Sequence, residues 1–573
     1  MGVAAVLRAA VHSEPEPIVK QEADLIVTNA RVLTMDEAMP SAEAVVVKDG
    51  TIAFVGKAAE AEGWKGPRTQ VIDARGGSVL PGFIESHVHL FMGAAELVHL
   101  QLFGVKGIDA LGERLREYAA ARPDDKVLFG QSCDYTVLGE GETLTRHHLD
   151  RIVADRPVAL VAPDHHTMWA NTRALEMAGV LHGKAVSPGN EVVMGADGLA
   201  TGELREGEAM TPVVHLAGES RVRLGIQTGG EPERWPSPAE WEADKEIMRR
   251  GLAYAAEHGI TSFHNMDGNL YQLQILAEIE KEGGLLCRAQ VPFHYKKPMT
   301  LEDLEKASAM ADSYASEWVS SGMVKVFMDG VIDSGTAHMI EPYADDGDWR
   351  GEPYFSDAEF AALATEIDRR GLQIAVHAIG DAAVRTVLDG YEAARKANGA
   401  RDSRHRIEHI EVTTDADIPR FAELGVIASM QPPHPPGSMG LPLEPTVSKI
   451  GRDRWRLAYA WRSIKETGAH VVFASDWPVS PIDPIAGIQA AVVRKRWADD
   501  LPDHAYSLHE AIAGYTVEGA YAQFEEHRKG QLKTGYLADI VVLSGDVDAV
   551  APDALHEIRP VTTICGGKIT YQA

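Results

Sequence analysis

Two histidines one residue apart, His87 and His89, close an apolar run in the segment PGFIESHVHL, residues 81–90. Alternation along a strand sends residues i and i+2 to the same side, and neutral imidazole is a good ligand for a divalent ion. The two side chains can therefore hold one cation together. Other ligand-type residues sit at or near the ends of further apolar runs: Lys325 in GMVKVFMDG, His377 in IAVHAIGD, His409 in RIEHIE and Asp476 in VVFASDWP. The chain has 23 histidines, and a lone histidine after an apolar run is as a rule a satisfied core or rim residue. An HxH pair followed by runs ending in His, His and Asp is a much more specific pattern. It points to one or two divalent ions, with zinc the first expectation. Manganese, cobalt, nickel and iron stay open, because the ligand types suit them all.

Residues so distant in sequence meet only if the fold gathers the ends of its strands. The middle of the chain offers eight strand candidates: SVLPGFIESHVH, ITSFHNM, RAQVPFHY, VKVFMDG, QIAVHAIG, HRIEHIE, VIASMQPP and VVFASDWPVS. Helical stretches such as DAEFAALATEIDRRG and PSPAEWEADKEIMRRGLAYAAEHG fall between them. Alternating β and α runs predict a parallel sheet with crossover helices, and eight such strands predict a (β/α)8 barrel of the TIM type, whose strand C-termini share one face. The expected fold class is thus α/β, with the barrel over residues 80–527. The two ends have another texture. ADLIVTNARVLTMD and AEAVVVKDGTIAFVG near the start, and ADIVVLSGD and VTTICGGKITYQA near the finish, are β-branched runs broken by turn residues. Residues 1–79 and 528–573 should form one small composite β-sandwich, with KDG at 48–50 a tight turn. Residues 91–255 read as an insertion after the first strand that caps the barrel mouth. QPPHPPGS, 431–438, reads as a rigid turn after the seventh strand, and the stretch up to Asp24 as a loose leader without a signal-peptide core.

Bulk properties exclude several classes. The 573 residues carry a net charge of −29, spread along the chain, which argues against a nucleic-acid partner and against an anionic membrane surface. No apolar run reaches the roughly 18 residues a membrane-spanning helix needs. The three cysteines, Cys133, Cys287 and Cys565, are far apart, which fits a reducing, cytoplasmic setting rather than a disulfide framework. A homo-oligomer is compatible with such a barrel.

The segments LPGFIESHVHL, DHHTMWANTRAL, VKVFMDGVIDSGTA, VHAIGDAAV, RIEHIE and ASDWPVSPIDP together resemble the metal-dependent amidohydrolase superfamily. Within it, the chain looks like the YtcJ-like and N-substituted formamide deformylase-like enzymes. The resemblance covers most of the chain, including LADIVVLSGDV and ICGGKI near its end. It implies the fold drawn above and a ligand set. His87 and His89 would hold the more buried ion, and His377 and His409 the second. Lys325, once carboxylated by CO2, would bridge the two; an unmodified lysine would instead donate to substrate or sit in a core salt bridge. Asp476 would be a ligand to the first ion and the proton shuttle. Glu85 departs from the aspartate usual two residues before the first histidine. His166 matches a histidine of a family phrase and would stabilise a developing oxyanion.

The implied reaction is hydrolysis of an amide-type C–N bond in a small molecule: an amide, an N-substituted formamide or a carbamate. Cyclic amide or urea hydrolysis, ring deamination and phosphotriesterase-like hydrolysis remain alternatives, and so does a non-catalytic regulatory protein on the same barrel, because a fold does not select among them. Phe91, Met92, Trp169, Met328 and Trp477 near the strand ends suggest a pocket for an apolar or aromatic group. Trp169 and Asn171 should pack and cap within the insertion, and Asp381 should cap a helix. Glu85 and Glu408 are candidates to support the histidine ligands, and Asp329 and His338 to flank the pocket.

Overall fold

A computed structural model describes residues 22–139, 141–163, 165–186, 190–217, 229–232 and 234–573. Residues 1–21 of the expected leader lie outside the described residues.

The fold is α/β, and its centre is a set of eight parallel strands at the places where the sequence shows its apolar runs. The first is Phe83–Val88 and the second Ile260–Asn265. The third comes in two pieces, Arg288–Gln290 and Phe293–His294. Met323–Phe327, Gln373–Ala378, Arg406–His409, Ile427–Met430 and Val471–Phe473 are the fourth to eighth. They pair in chain order, first with second with third and third through to eighth. A parallel bridge between Val88 and Trp477 joins the end of the first to the segment after the eighth. Most of their residues are buried, which is why they read as near-continuous apolar runs rather than as an alternation. The crossover helices start where the sequence signals them. Ser237 with Glu240 forms a capping box for Pro238–Glu257, and Ser356 with Glu359 does the same for Asp357–Arg369.

Parallel register brings the ligand-type residues level. Phe327 lies opposite His377, Ala378 opposite His409, and His294 opposite Lys325. Two expected strands are divided. SVLPGFIESHVH splits at Gly82: Ser78–Pro81 joins a sheet of the terminal unit, and only Phe83–Val88 joins the parallel set. RAQVPFHY breaks around Val291 and Pro292, where proline has no N–H for the ladder. Gly82 is needed at its break, because a Cβ there would sit 2.3 Å from the Cγ2 and 2.8 Å from the Cβ of Thr261. Gly82→Ala should therefore cost about 1–3 kcal/mol through overpacking, read as a lower thermal midpoint.

Both chain ends build a second unit of two sheets. One holds Leu25–Thr28, Ala44–Lys48, Thr51–Gly56 and Gln70–Asp73; the other holds Arg31–Leu33, Ser41–Ala42, Ser78–Pro81, Ile540–Leu543, Pro560–Cys565 and Lys568–Gln572. Val27, Val45, Val47, Val79, Ile540, Val542 and Ile564 fill the space between them. The KDG turn is present: Lys48 pairs with Thr51, and Asp49 and Gly50 have φ of 50° and 77°, the positive values a two-residue hairpin turn requires. A buried Arg288–Asp539 pair, with N–O distances of 2.8 and 3.1 Å, ties the third strand to this unit.

The segment after the first strand carries a six-stranded sheet of its own: Leu100–Gln101, Leu128–Gln131, Val158–Val161, Thr167–Ala170, Glu191–Met194 and Ala200–Arg205. Trp169 is buried in it, and Asn171 caps the helix Thr172–Met177 through Ala174 N–H. The helix Pro238–Glu257 packs on the helix Leu90–Glu96 and leads into the second strand. It serves as a crossover, so the insertion is shorter than residues 91–255. The three cysteines are buried free thiols. Among the described residues, no helix is long and apolar enough to cross a membrane.

Candidate metal centre

The C-terminal ends of the parallel strands meet at one cluster. His87 and His89 come from the first strand and the residue after it, and their ring centroids are 5.3 Å apart. His409, which ends the sixth strand, lies 5.0 Å from the His87 ring and 4.5 Å from that of His377. Asp476 stands just past the eighth strand, with φ of 60° and its N–H donated to the His87 carbonyl at 3.0 Å. One ligand atom from each of His87, His409 and Asp476 lies within 4.8 Å of the others. The Oδ1 of Asp476 is 3.3 Å from His87 Nε2 and 3.0 Å from His89 Nε2. Two ligand atoms, each about 2.0–2.1 Å from a tetrahedral ion, lie about 3.3 Å apart.

The groups behind the histidines set their tautomers. His87 Nδ1 meets Glu408 Oε2 at 2.7 Å, and His89 Nδ1 is 2.7 Å from Asp267 Oδ1. His377 Nε2 meets the Gly330 carbonyl and His409 Nδ1 the Gln431 Oε1, each at 3.0 Å. His87, His377 and His409 each commit one nitrogen to a hydrogen bond with an oxygen acceptor, which leaves the other as a lone pair for an ion, while His89 Nδ1 faces Asp267 Oδ1 without a hydrogen bond. His87 Nε2, Asp476 Oδ1 and Lys325 Nζ are buried with no hydrogen-bond partner. Orphaned polar atoms of this kind are costly unless something else satisfies them. A cation fits this donor set.

Electrostatics agree. Burial and the nearby Lys325 push His87 down to about 4 and His377 down to about 3, so both imidazoles are neutral, as ligands must be. Burial opposes a charge on Asp476, but His87, His89 and His409 outweigh it and hold the carboxyl well below its ordinary range. His89 differs: burial opposes its charge, yet Asp267 and Asp476 push it up to about 10, so a bound ion would have to displace a proton from it. Lys325 is fully buried and is pushed down to about 8 by that burial. Glu408 stays ionised despite burial because Arg406 grips it through two bonds, of 2.6 and 3.0 Å. Replacing Glu408 by Gln removes the charge that fixes His87, and metal affinity should fall about 10–100-fold, measured by competition with a chelator.

His89, His377, His409 and Asp476 border a cavity of about 650 Å³, and the insertion closes its far side with Tyr135, Pro163, His165 and His166. His166 Nδ1 is 2.9 and 3.1 Å from the two carboxylate oxygens of Glu206. Of the five apolar residues expected to line the pocket, only Met92 does. Phe91, Trp169, Met328 and Trp477 are buried in the core; the aromatic lining comes instead from Tyr135, Phe327, Tyr354, Phe355 and Tyr459. Asp381 is not a cap. Gly380 holds that position, and Asp381 Oδ1 accepts the Ile340 N–H at 2.7 Å. Asp329 lines the cavity and accepts three backbone N–H groups, from His338, Ile379 and Gly380. Glu85 Oε1 accepts the Ser475 N–H at 2.6 Å and so braces the backbone before Asp476. The sequence reading passed over Asp267, His294, Gln431 and His434. All follow or end the second, third and seventh strands, and that position was the signal that could have found them.

A profile described as the amidohydrolase family matches residues 70–571. The chain is 26% identical to N-substituted formamide deformylase of Arthrobacter pascens, over 96% of this chain and 99% of that protein. It is 29% identical to Protein LONG AFTER FAR-RED 3 of Arabidopsis thaliana, over 96% and 92% respectively. An uncharacterized metal-dependent hydrolase from Pyrococcus horikoshii shares the fold, with a TM-score of 0.68 at 24% identity, over 92% of this chain and 99% of that one. With its profile matched along nearly the whole length and a metal-type donor set at its strand ends, this chain belongs to the amidohydrolase family of hydrolases.

Proposed function

We propose that this protein hydrolyses an amide-type C–N bond, in an N-substituted formamide, an N-acyl amine or a carbamate, with the help of one or two divalent ions. The eight parallel strands are read as a (β/α)8 barrel, set against a composite β-sandwich from the two chain ends. His87, His89, Lys325, His377, His409 and Asp476 are the residues that would hold the ions, and zinc suits this nitrogen and oxygen set. The carrying observation is the cluster of four imidazoles at the strand ends, three of them hydrogen-bonded at one nitrogen to an oxygen behind and the fourth, His89, 2.7 Å from Asp267.

A bound divalent ion supplies acidified water, with its pKa lowered from about 15.7 toward about 7, and polarises the carbonyl oxygen. The residues supply the rest. Asp476 is ionised and aimed into the cluster, so its carboxylate can accept the proton released as water attacks, then return it to the leaving nitrogen. An amine leaves readily only once protonated, so the return step is what makes cleavage feasible. His166 faces the cavity from the insertion and would stabilise charge on the carbonyl oxygen. The aromatic lining favours a substrate with an apolar or aromatic group on nitrogen or carbon. The deformylase similarity supports the formamide reading. Metal analysis of the isolated protein, joined to a screen of N-formyl, N-acyl, carbamate and phosphotriester compounds, tests this. Turnover confined to phosphotriesters, or none with a metal-replete protein, would reject it.

A further inference from the structure

His294 ends the short strand Phe293–His294 and lines the cavity, yet neither nitrogen of its ring is hydrogen-bonded among the described residues. The residue is only 6% exposed. Its Nδ1 is shut away from solvent, and a Cβ on Gly229 would come within 2.5 Å of it. Nε2 is not enclosed in this way, so it is the nitrogen open to the cavity. The ring is also held in place. It stacks on Phe327, with centroids 5.3 Å apart and planes at 25°, and Phe327 stacks in turn on His377 at 4.7 Å and 28°. Parallel register sets His294 opposite Lys325, and the Tyr295 N–H donates to the Lys325 carbonyl at 2.9 Å. Neighbouring strands lie about 4.8 Å apart. His294 thus stands one strand away from a residue read above as an ion ligand, without belonging to that set.

The enclosed nitrogen decides where the ring proton sits. Burial, with Lys296, Lys325 and His89 nearby, holds the imidazole well below its ordinary range, so the ring is neutral and carries one proton. An enclosed N–H without an acceptor is rarer in folded proteins than an enclosed lone pair without a donor. A proton on Nε2, by contrast, can reach water or a substrate. The ring therefore offers the cavity an N–H. We infer that His294 is a catalytic residue that donates its Nε2–H to the substrate's carbonyl oxygen as negative charge builds there, an inference that rests on the hydrolase reading above. The stack on Phe327 fixes the direction of the donor before substrate arrives, and a donor that need not reorganise is the kind that stabilises a transition state most. Being neutral, the ring adds no positive charge beside a site built for cations.

The test uses the metal-loaded full chain, His294→Phe and His294→Gln, with N-phenylformamide as the substrate probe. Phenylalanine keeps a flat ring on Phe327 but has no N–H, whereas glutamine can place an amide N–H near the Nε2 position. His294→Phe should lose about 10²-fold or more in kcat, the scale of one lost oxyanion donor, with KM within about threefold. His294→Gln should recover about tenfold or more of that loss. Metal content should match the parent's in both. The thermal midpoint of His294→Phe should equal or exceed the parent's, because an enclosed, unsatisfied nitrogen is gone. A kcat within about twofold of the parent, a loss of bound metal, or a lowered midpoint with no rescue by glutamine would overturn the inference. Nitrogen-15 spectra of the histidines give a readout that needs no turnover. The difference between parent and His294→Phe picks out the His294 ring, which should be protonated at Nε2 and bare at Nδ1; the opposite tautomer would also overturn the inference. If the parent does not cleave the probe, the hydrolase reading suffers, while the spectra still decide whether His294 presents its N–H to the cavity.

Discussion

Asp476→Ala should lower turnover to below about one per cent of the parent, because in the proposed mechanism it removes a ligand and the proton carrier in one step. Acid–base catalysis by a positioned carboxylate is worth about 10²–10⁴-fold. The loss of the oxygen that His87 and His89 both face, at 3.3 and 3.0 Å, comes on top of that. Asp476→Asn separates the two contributions. The amide keeps the shape and an oxygen near the histidines but cannot take up a proton at neutral pH. Its metal content should stay nearer the parent's than that of the alanine variant, while its kcat falls by a similar factor. Metal analysis and kinetics on the same samples check both points. Turnover above about one per cent in either variant would assign the proton relay elsewhere.

Lys325→Met should be nearly as severe. The lysine amine is fully buried with no hydrogen-bond partner, an expensive arrangement unless the group is modified or bound. Its Nζ lies over the Phe327 ring, 4.8 Å from the centroid, which is no substitute for an acceptor. Burial pushes the amine down to about 8, so a large fraction is neutral near that pH. Only the neutral amine attacks CO2; it then loses a proton and becomes an anionic carbamate with two oxygens. The sign follows. Carboxylation is favoured as pH rises through about 8 and is lost on acidification. Reconstitution with metal and bicarbonate should therefore go further at pH 9 than at pH 6 in the parent and show no such dependence in Lys325→Met. Turnover in the variant should drop about 10²-fold or more, the scale of losing charge stabilisation worth several kcal/mol. Carbon-13 bicarbonate gives a direct check, because a carbamate signal should appear in the parent and be missing from the variant.

The strand ends and the ligand types were legible because both obey simple rules. Parallel strands buried on two faces leave continuous apolar runs, and a fold that gathers their C-termini turns the next polar residue into a candidate ligand. His87, His377 and His409 follow that rule closely. The supporting shell was less legible. Glu408 stood beside His409 and could be suspected, but Asp267 and Gln431 reach their partners from neighbouring strands, and no local spacing encodes such a contact. The lining of the cavity was misjudged for a related reason. Phe91 and Trp477 lie close to His89 and Asp476 in sequence, yet Phe91 belongs to the helix Leu90–Glu96 and Trp477 to the segment after the eighth strand, and both side chains are buried in the core. Phe327 does end a strand, but Tyr135 and Tyr354, which complete the aromatic wall, lie in loops away from the parallel strands. The division at Gly82 was hidden because SVLP and FIESHV are equally apolar, and only the close approach of Thr261 marks the turn between them.

One measurement tests the shared cation most directly: anomalous diffraction at the metal absorption edge, on crystals of the as-isolated protein grown without chelator. Density bounded by His87 Nε2, His89 Nε2 and Asp476 Oδ1, with His377, His409 and Lys325 around any second peak, is the predicted outcome. Those side chains facing separate cavities, or a peak elsewhere in the molecule, would contradict it.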